Sequence, residues 1–322
     1  MTTNSTQGLY RSFAAIRILF GLVWLINTYL QLNPAYIHLF AHSLQADLVA
    51  GQPAWLQAYG AWTLHWVTIV GPALVAKVTI VLDALLAVSL ITGLGLPFLA
   101  WLGFFYNLWL WSTVGGLGGP YTTGATDPGT AIIYALCFLL VIWSRSWQVW
   151  SLQPSPVRLP QAAGMETGRI VFGLLWAFDA FWKWQPYFLT HAVTYLQQAL
   201  PGEPAWIVAY ISFFIHVINL LGPVTFGIVA ALMESIIAFS LLTGVALRWL
   251  VPVGIFYSLG VWTTAEGWGA PYLPGMTANK GDVLGTTNIY VIAFLFVGVW
   301  VYLRPRVQER SATKTAVSAP AP

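Results

Sequence analysis

Two ionisable side chains within one apolar segment are the strongest chemical signal in this sequence. Asp179 and Lys183 are four residues apart, a spacing that places both on one face of a helix, where they can form an ion pair. Charged groups inside an apolar segment are costly and usually face a bundle interior or a polar cavity. The pair therefore marks either a functional site or a structural contact that holds two helices together.

A second acidic position recurs in both halves of the chain. Asp83 and Glu234 each lie inside an apolar segment, before a Leu-(Leu/Ile)-Thr-Gly turn. A carboxyl at that depth either takes up a proton or finds a donor, and Arg17 and Arg169 are the donors we expect. Because both halves keep the acid, a helix-locking role stays open beside a catalytic one. The candidate catalytic residues are Asp179, Lys183 and Glu234.

Two segments rich in Gly and Pro, 115–130 and 266–288, are candidates for binding an anion. Glycine lets backbone amides approach a ligand closely, and a Gly-Thr pair at the start of a helix presents free N–H groups. A structural loop that caps the bundle is the alternative. The candidate substrate-binding residues are Arg169, His216, Trp262, Lys280 and Asp282.

The histidines give a weaker signal for a metal. His38 and His42 have the i, i+4 spacing of a helical metal pair, and His65 recurs in the second half as His216. The sequence has neither a Cys-x-x-Cys-His nor a His-Glu-x-x-His motif. We therefore predict no metal site, although the binding of haem or copper stays open. We expect the histidine side chains to be satisfied by hydrogen bonds.

Composition indicates the class of protein that must position these residues. Of the 322 residues, 58% are hydrophobic and only 7% are charged, too few charges to cover a soluble globule of this size. The single Cys137 excludes an intrachain disulfide and a cysteine-based iron–sulfur or zinc site. We predict an all-α integral membrane protein with apolar segments near 12–32, 73–92, 96–114, 129–144, 168–184, 224–244, 249–265 and 288–303.

The second half of the chain repeats the first. The segment Arg17 to Trp24 returns at Arg169 to Trp176, and further pairs keep the same order: Pro53-Ala54-Trp55 with Pro204-Ala205-Trp206, Gly71-Pro72 with Gly222-Pro223, Phe105-Tyr106 with Phe256-Tyr257, and Pro120-Tyr121 with Pro271-Tyr272. This order predicts a tandem duplication in which each half forms a separate bundle. The first half has Asn27 and Gln31 in place of Asp179 and Lys183, so we expect the charged function in the second half.

The placement of basic residues predicts the topology. Arginines precede the first span and occupy the connector, the 244–249 turn and the C-terminal tail, which puts both termini in the cytoplasm. An even number of spans per half follows, and two parallel four-helix bundles with about eight spans fit best. The apolar stretches 55–70 and 206–221 would add a fifth span per half, so we interpret them as interfacial helices over the outer mouth.

The resulting domain organisation has four parts. Residues 1–150 form the first bundle and 168–306 the second. The proline-rich stretch 151–167 is typical of a linker between them. The tail 307–322 has no apolar periodicity and is predicted to be disordered.

These motifs resemble the DoxX/DoxD-like membrane family, named for subunits of a thiosulfate:quinone oxidoreductase. The similarity lies in the Arg-x-x-x-Gly motif (Arg17 to Gly21, Arg169 to Gly173), in the acid before each Thr-Gly turn, and in the Asp and Gly-Thr residues before each last span. Since it covers both halves, the chain is similar to a tandem member of the family. The first half departs from the charged pattern of the second half, because it has Asn27 and Gln31 at the positions of Asp179 and Lys183.

The resemblance implies that electrons pass from thiosulfate outside the cell to membrane quinone, the bound substrate, in the plasma membrane of a prokaryote. Trp-lined crevices among Trp176, Trp182, Trp184 and Trp262 are suited to a flat quinone ring. The implied partners are lipid, quinone and other respiratory-complex subunits, and no nucleic-acid module occurs. A scaffold subunit without catalysis, or a small-molecule carrier, stays open as the alternative.

Overall fold

The computed structural model describes residues 4–34, 36–37, 40, 52–113, 115–119, 124–153, 155–269 and 284–318. Within these ranges the chain is all-α, with no strand and with eleven α-helices. They are α1 Asn4–Gln31, α2 Ala54–Val70, α3 Pro72–Thr92, α4 Leu96–Ser112, α5 Thr130–Ser144, α6 Ala162–Lys183, α7 Pro186–Gln198, α8 Ala205–Leu221, α9 Pro223–Thr243, α10 Leu247–Thr264 and α11 Thr287–Ser318.

Four of these helices are long and apolar enough to cross a membrane: α1 over Gln7–Gln31, α3, α9, and α11 over Thr287–Arg304. Their length matches the roughly 20 residues that a bilayer core requires. Large apolar side chains also cover the outside, including Phe98 and Trp249, which are 73% and 78% exposed. The prediction of an all-α protein with several helices long and apolar enough to span a membrane is confirmed.

The Arg-x-x-x-Gly motif has a packing role in each half. A Cβ on Gly21 of α1 would lie 2.8 Å from Cγ1 of Ile91 on α3, and one on Gly173 of α6 would lie 2.9 Å from Leu242 on α9. The favourable distance between two carbon atoms is about 3.5 Å or more, so a side chain at either glycine would clash. Glycine at this place therefore lets the first helix of each half cross closely over the helix that carries the buried acid.

Aromatic rings fill the interior of each half. Phe20, Trp24, Tyr134 and Phe138 contact one another with ring centroids 5.2–6.4 Å apart. The repeat places Phe172, Trp176, Tyr290 and Phe294 in the same arrangement, with centroids 4.7–6.3 Å apart. Edge-to-face contacts of this kind add to the burial of apolar area.

The two halves share one hydrophobic core, and their division into two bundles stays a prediction. Helix α11 packs against α1 and α5, and α5 also packs against α6. Phe13 stacks on Phe296 at 5.9 Å, and the Thr130 and Thr286 hydroxyls at the starts of α5 and α11 lie 2.5 Å apart. Because the two starts meet, α5 and α11 run in the same direction, as a parallel repeat requires.

Helices α2 and α8 correspond to the stretches 55–70 and 206–221. Each has 17 residues and ends at a glycine, Gly71 or Gly222, with a φ of 99° or 91°. The following proline starts the next helix, where its missing N–H costs no hydrogen bond. The interfacial interpretation of both helices stays a prediction.

Two local predictions differ from the structure. Helix α7 lies in a stretch for which the sequence predicted no helix, because the apolar segments alone were used and Pro186 begins a 13-residue amphipathic stretch. The tail predicted to be disordered continues α11 as far as Ser318. The segment 307–318 contains no glycine and is rich in helix-forming residues, which outweighs its lack of apolar periodicity.

The glycines that face aromatic rings provide a test of this packing. A Cβ on Gly254 of α10 would overlap the ring of Phe294, whereas one on Gly260 of the same helix meets no atom within 4 Å. We expect Gly254→Ala to lower the free energy of unfolding by about 1–3 kcal/mol through overpacking. The matched Gly260→Ala should be neutral or stabilising by up to ~1 kcal/mol. Thermal unfolding in detergent measures both, and equal effects would contradict this packing.

Candidate functional site

A buried ion pair lies in the interior of the second half. The Lys183 amine at the end of α6 lies 3.5 Å from Oε1 of Glu234, a residue near the middle of α9. The hydroxyl of Tyr257 on α10 donates a hydrogen bond of 2.8 Å to the same oxygen. The two side chains of the pair are 13% and 4% exposed, so solvent screens their interaction little.

Asp179 lies one helical turn before Lys183 and extends this cluster. The hydroxyl of Tyr290 on α11 donates a hydrogen bond of 2.9 Å to Oδ2 of Asp179. The rings of Tyr257 and Tyr290 both contact Trp176, at 5.9 and 5.2 Å. Four helices thus contribute to one constellation, the half-two cluster, which consists of Trp176, Asp179, Lys183, Glu234, Tyr257 and Tyr290.

Several polar atoms of the half-two cluster have no hydrogen-bond partner among the described residues. They are Oδ1 of Asp179, Oε2 of Glu234 and Nε1 of Trp176, each inaccessible to solvent. Buried polar atoms are nearly always paired, so these atoms mark a candidate place for a ligand, water or proton, and the equivalent Nε1 of Trp24 and Oδ1 of Asp83 in the first half do so as well. The cluster holds two carboxyls and one amine, and a single proton shared by the carboxyls makes it neutral.

A loop from the first half covers the half-two cluster. The Lys183 amine donates a hydrogen bond of 3.0 Å to the carbonyl of Thr126, and Tyr195 on α7 donates one of 2.9 Å to the carbonyl of Gly124. Burial, together with the smaller effect of the neighbouring Tyr187, raises the pKa of Tyr195 to about 12, so the hydroxyl keeps its proton near neutral pH. The site therefore depends on both halves of the chain.

The first half contains an uncharged version of the same constellation. Asn27 and Gln31 take the positions of Asp179 and Lys183, and the side chains of Gln31 and Tyr106 hydrogen-bond to Asp83. The Asn27 amide donates a hydrogen bond of 2.8 Å to the hydroxyl of Tyr134. Among the described residues Asp83 is the only carboxyl at the position of the ion pair, and amides take the places of the amine and the second carboxyl.

Arg17 and Arg169 are not the partners of Asp83 and Glu234, and that prediction was wrong. Arg17 donates to the carbonyls of Ser146 at 3.2 Å and Trp150 at 2.6 Å. Arg169 donates to the carbonyls of Leu241 and, at 3.3 Å, Leu242. Backbone carbonyls at helix ends lack intrahelical donors and attract cations.

Arg169 also forms an ion pair of 2.9 Å with Glu166, whose other oxygen accepts hydrogen bonds of 2.8 Å from Arg304 and Trp300. The Cα of Arg169 lies 14 residues, or about 21 Å along α6, from the Cα of Lys183. The structure therefore does not bring Arg169 to the half-two cluster, although the sequence analysis grouped them.

The helix starts predicted to bind an anion are occupied by carboxylates of the protein itself. Glu266 accepts hydrogen bonds of 3.0 and 3.1 Å from the N–H groups of Thr286 and Thr287 before and at the start of α11. In the first half, Asp127 accepts one of 2.8 Å from the N–H of Gly129. An external anion would have to displace these carboxylates, and their negative charge would repel it.

The remaining predicted residues do not join the half-two cluster in the described part of the chain. His216 is exposed on α8. The Trp262 indole donates a hydrogen bond of 2.7 Å to the carbonyl of Leu284 and packs on Trp268. Lys280, Asp282, His38 and His42 lie outside the described residues. Among the residues that are described, no three His, Cys, Asp or Glu side chains could hold a metal together.

The sequence analysis missed the tyrosines that complete the cluster. Tyr106 and Tyr257 served only as markers of the repeat, and Tyr134 and Tyr290 were not considered. A signal was available, because Tyr134 and Tyr290 each follow the Thr of a Gly-Thr pair by four residues. That spacing is one helical turn, which points both hydroxyls toward the same depth in equivalent helices.

Comparisons of this chain with known protein families, with curated proteins and with solved structures found no match.

The ion pair can be tested by its contribution to stability. We expect Lys183→Met to lower the free energy of unfolding by about 3–5 kcal/mol, since it leaves Glu234 buried without its amine. The matched change in the first half, Gln31→Met, removes a neutral hydrogen bond and should cost about 1–3 kcal/mol. Denaturation in detergent micelles measures both. A Lys183→Met cost no larger than that of Gln31→Met would contradict a buried ion pair.

Proposed function

We propose that this chain is a membrane oxidoreductase subunit that reduces quinone at the half-two cluster, with thiosulfate as the electron donor. The observation that carries this proposal is the buried ion pair Lys183–Glu234 next to Asp179. The carboxyls of Glu234 and Asp179 each keep one oxygen without a hydrogen-bond partner among the described residues. Ionisable groups at membrane depth are expensive and mark ligand or proton pathways.

The polar atoms of the site match the two states of a quinone. The oxidised ring has two carbonyl oxygens that need donors, and the indole N–H of Trp176 has no acceptor among the described residues. The reduced ring has two hydroxyls that need acceptors, which Oδ1 of Asp179 and Oε2 of Glu234 supply. A pocket with a few convergent polar groups among aromatic side chains is typical of a cofactor or ligand site.

The proposed reaction balances without a further redox group. Two thiosulfate ions form one S–S bond and release two electrons, and the quinone takes up these electrons with two protons to become a quinol. Glu234 and Asp179 are the groups that hold and deliver protons in this proposal, and the Lys183 amine offsets the charge that develops. Since Glu266 and Asp127 occupy the helix starts, the proposal assigns no anion site to those amides.

The proposal includes the finer topology and location. Both halves are tandem four-helix bundles of the DoxX/DoxD-like type, with eight spans, cytoplasmic termini and a site that opens on the outer face of a prokaryotic plasma membrane. In support, the six arginines Arg17, Arg145, Arg158, Arg169, Arg248 and Arg304 gather at one end of the helices, as the positive-inside rule requires. The half-two cluster lies toward the opposite end.

A scaffold function is the second candidate, favoured by the hydrogen bond between Lys183 and Thr126. Through this contact the ion pair joins the two halves, which is what a purely structural pair would do. In that case the chain would anchor other respiratory subunits. Catalysis by the purified chain distinguishes the two functions.

The test uses thiosulfate-dependent reduction of a short-chain ubiquinone analogue by the purified full chain. We expect Glu234→Gln and Asp179→Asn to lower turnover by about 10²-fold or more, because each removes a proton-carrying group. Lys183→Ala and Lys280→Ala should also lower turnover while the protein still folds. The matched control in the first half, Asp83→Asn, should leave turnover within about twofold, given that this half lacks the amine.

Two results would contradict the proposal. One is a folded wild-type chain that reduces no quinone by itself and is always isolated with metal-containing subunits, which favours the scaffold. The other is an equal loss of activity in Asp83→Asn and Glu234→Gln, which would remove the distinction between the halves.

A further inference from the structure

A cleft of about 450 Å³ lies at the end of the helices opposite to the half-two cluster. Its wall consists of the start of α4, the end of α5 and the linker that follows α5. The lining side chains that carry the argument are Trp101, Trp143, Arg145, Trp147 and Arg158. The repeat offers no equivalent, since the second half has no linker and α11 continues where α5 ends.

Two cations in this cleft lack a protein counterion. Neither Arg145 nor Arg158 pairs with a carboxylate within the described ranges, whose ion pairs involve Arg169, Lys183 and Arg304. Both arginines are held by the backbone. Arg145 ends α5 with a φ of 52°, and the N–H of Arg158 donates a hydrogen bond of 2.7 Å to the Gln148 side chain. A planar guanidinium is well suited to bind phosphate oxygens.

An apolar surface continues from the cleft along α4. Trp101, which lines the cleft, is 44% exposed, and the neighbouring Phe98 is 73% exposed. In a protein whose helices cross a membrane, this surface lies at the level where acyl chains begin. Trp143 and Trp147 add indole rings of the kind that favour the interface between headgroup and hydrocarbon.

We propose that this cleft binds an anionic phospholipid, with its phosphate diester between Arg145 and Arg158 and its acyl chains along Phe98 and Trp101. A free phosphate would bind the two arginines but would not contact the apolar surface. A zwitterionic lipid would place the positive charge of its headgroup beside the two arginines. The combination of unpaired guanidinium groups with an adjacent apolar face therefore selects the anionic lipid. This site is independent of the proposed redox function.

Native mass spectrometry of the full chain in mixed detergent and lipid tests the proposal, with phosphatidylglycerol and phosphatidylcholine as competing probes. We expect the wild type to retain phosphatidylglycerol roughly 30-fold better than phosphatidylcholine, given roughly 1 kcal/mol for each of the two arginines at an anionic headgroup. The variant Arg145→Asn/Arg158→Gln should lose this preference, and asparagine tolerates the left-handed backbone at position 145. The control Arg248→Gln changes an arginine outside the cleft, and this variant should keep the preference for phosphatidylglycerol.

Three outcomes would overturn the proposal. They are equal retention of both lipids by the wild type, an unchanged preference in the double variant, and displacement of phosphatidylglycerol by millimolar inorganic phosphate, which would indicate a site for a free anion. The unfolding temperature of the double variant is the control. If it equals that of the wild type, a lost preference for phosphatidylglycerol reflects the cleft and not misfolding.

Discussion

The rest of the structure depends on one constraint: an amine and two carboxyls are buried together among helices of an apolar protein. A buried charge is tolerated only when partners surround it. Lys183 therefore lies within reach of Glu234 and the Thr126 carbonyl, and the hydroxyls of Tyr257 and Tyr290 face the acids. Four helices of the second half, and one loop of the first, are held in place by these contacts.

The duplication explains how such a cluster could arise without loss of the fold. In both halves a glycine brings the first helix close to the helix with the acid, an arginine binds carbonyls at the end of that helix, and aromatic rings fill the interior. These contacts do not involve charge at positions 27 and 31, so neutral side chains there leave the packing intact. The first half therefore supplies a scaffold, and the second adds the ionisable groups.

The sequence predicted most of the helices, the repeat and the shared helix face of Asp179 and Lys183, because apolar periodicity and i, i+4 spacing are local properties. The predicted ion pair between these two residues was wrong, since Lys183 pairs with Glu234. It failed where the partner comes from a distant segment. Arg169 binds carbonyls of α9 and not Glu234, and Glu266 occupies amides that seemed open to an anion. The tyrosines at 257 and 290 reach the acids only through the packing of α10 and α11. A repeat reveals two units but not the contacts between them, so the packing of α11 against α1 and α5 was not predicted.

The central claim is that the half-two cluster, and not its uncharged counterpart, binds a quinone. A cryo-electron microscopy map of the chain in lipid nanodiscs with added quinone tests this most directly. We expect flat density in contact with Trp176 and within hydrogen-bonding distance of Asp179 and Glu234, with none beside Asp83. Density beside Asp83 alone, or an ion pair closed over an empty interior at saturating quinone, would contradict it.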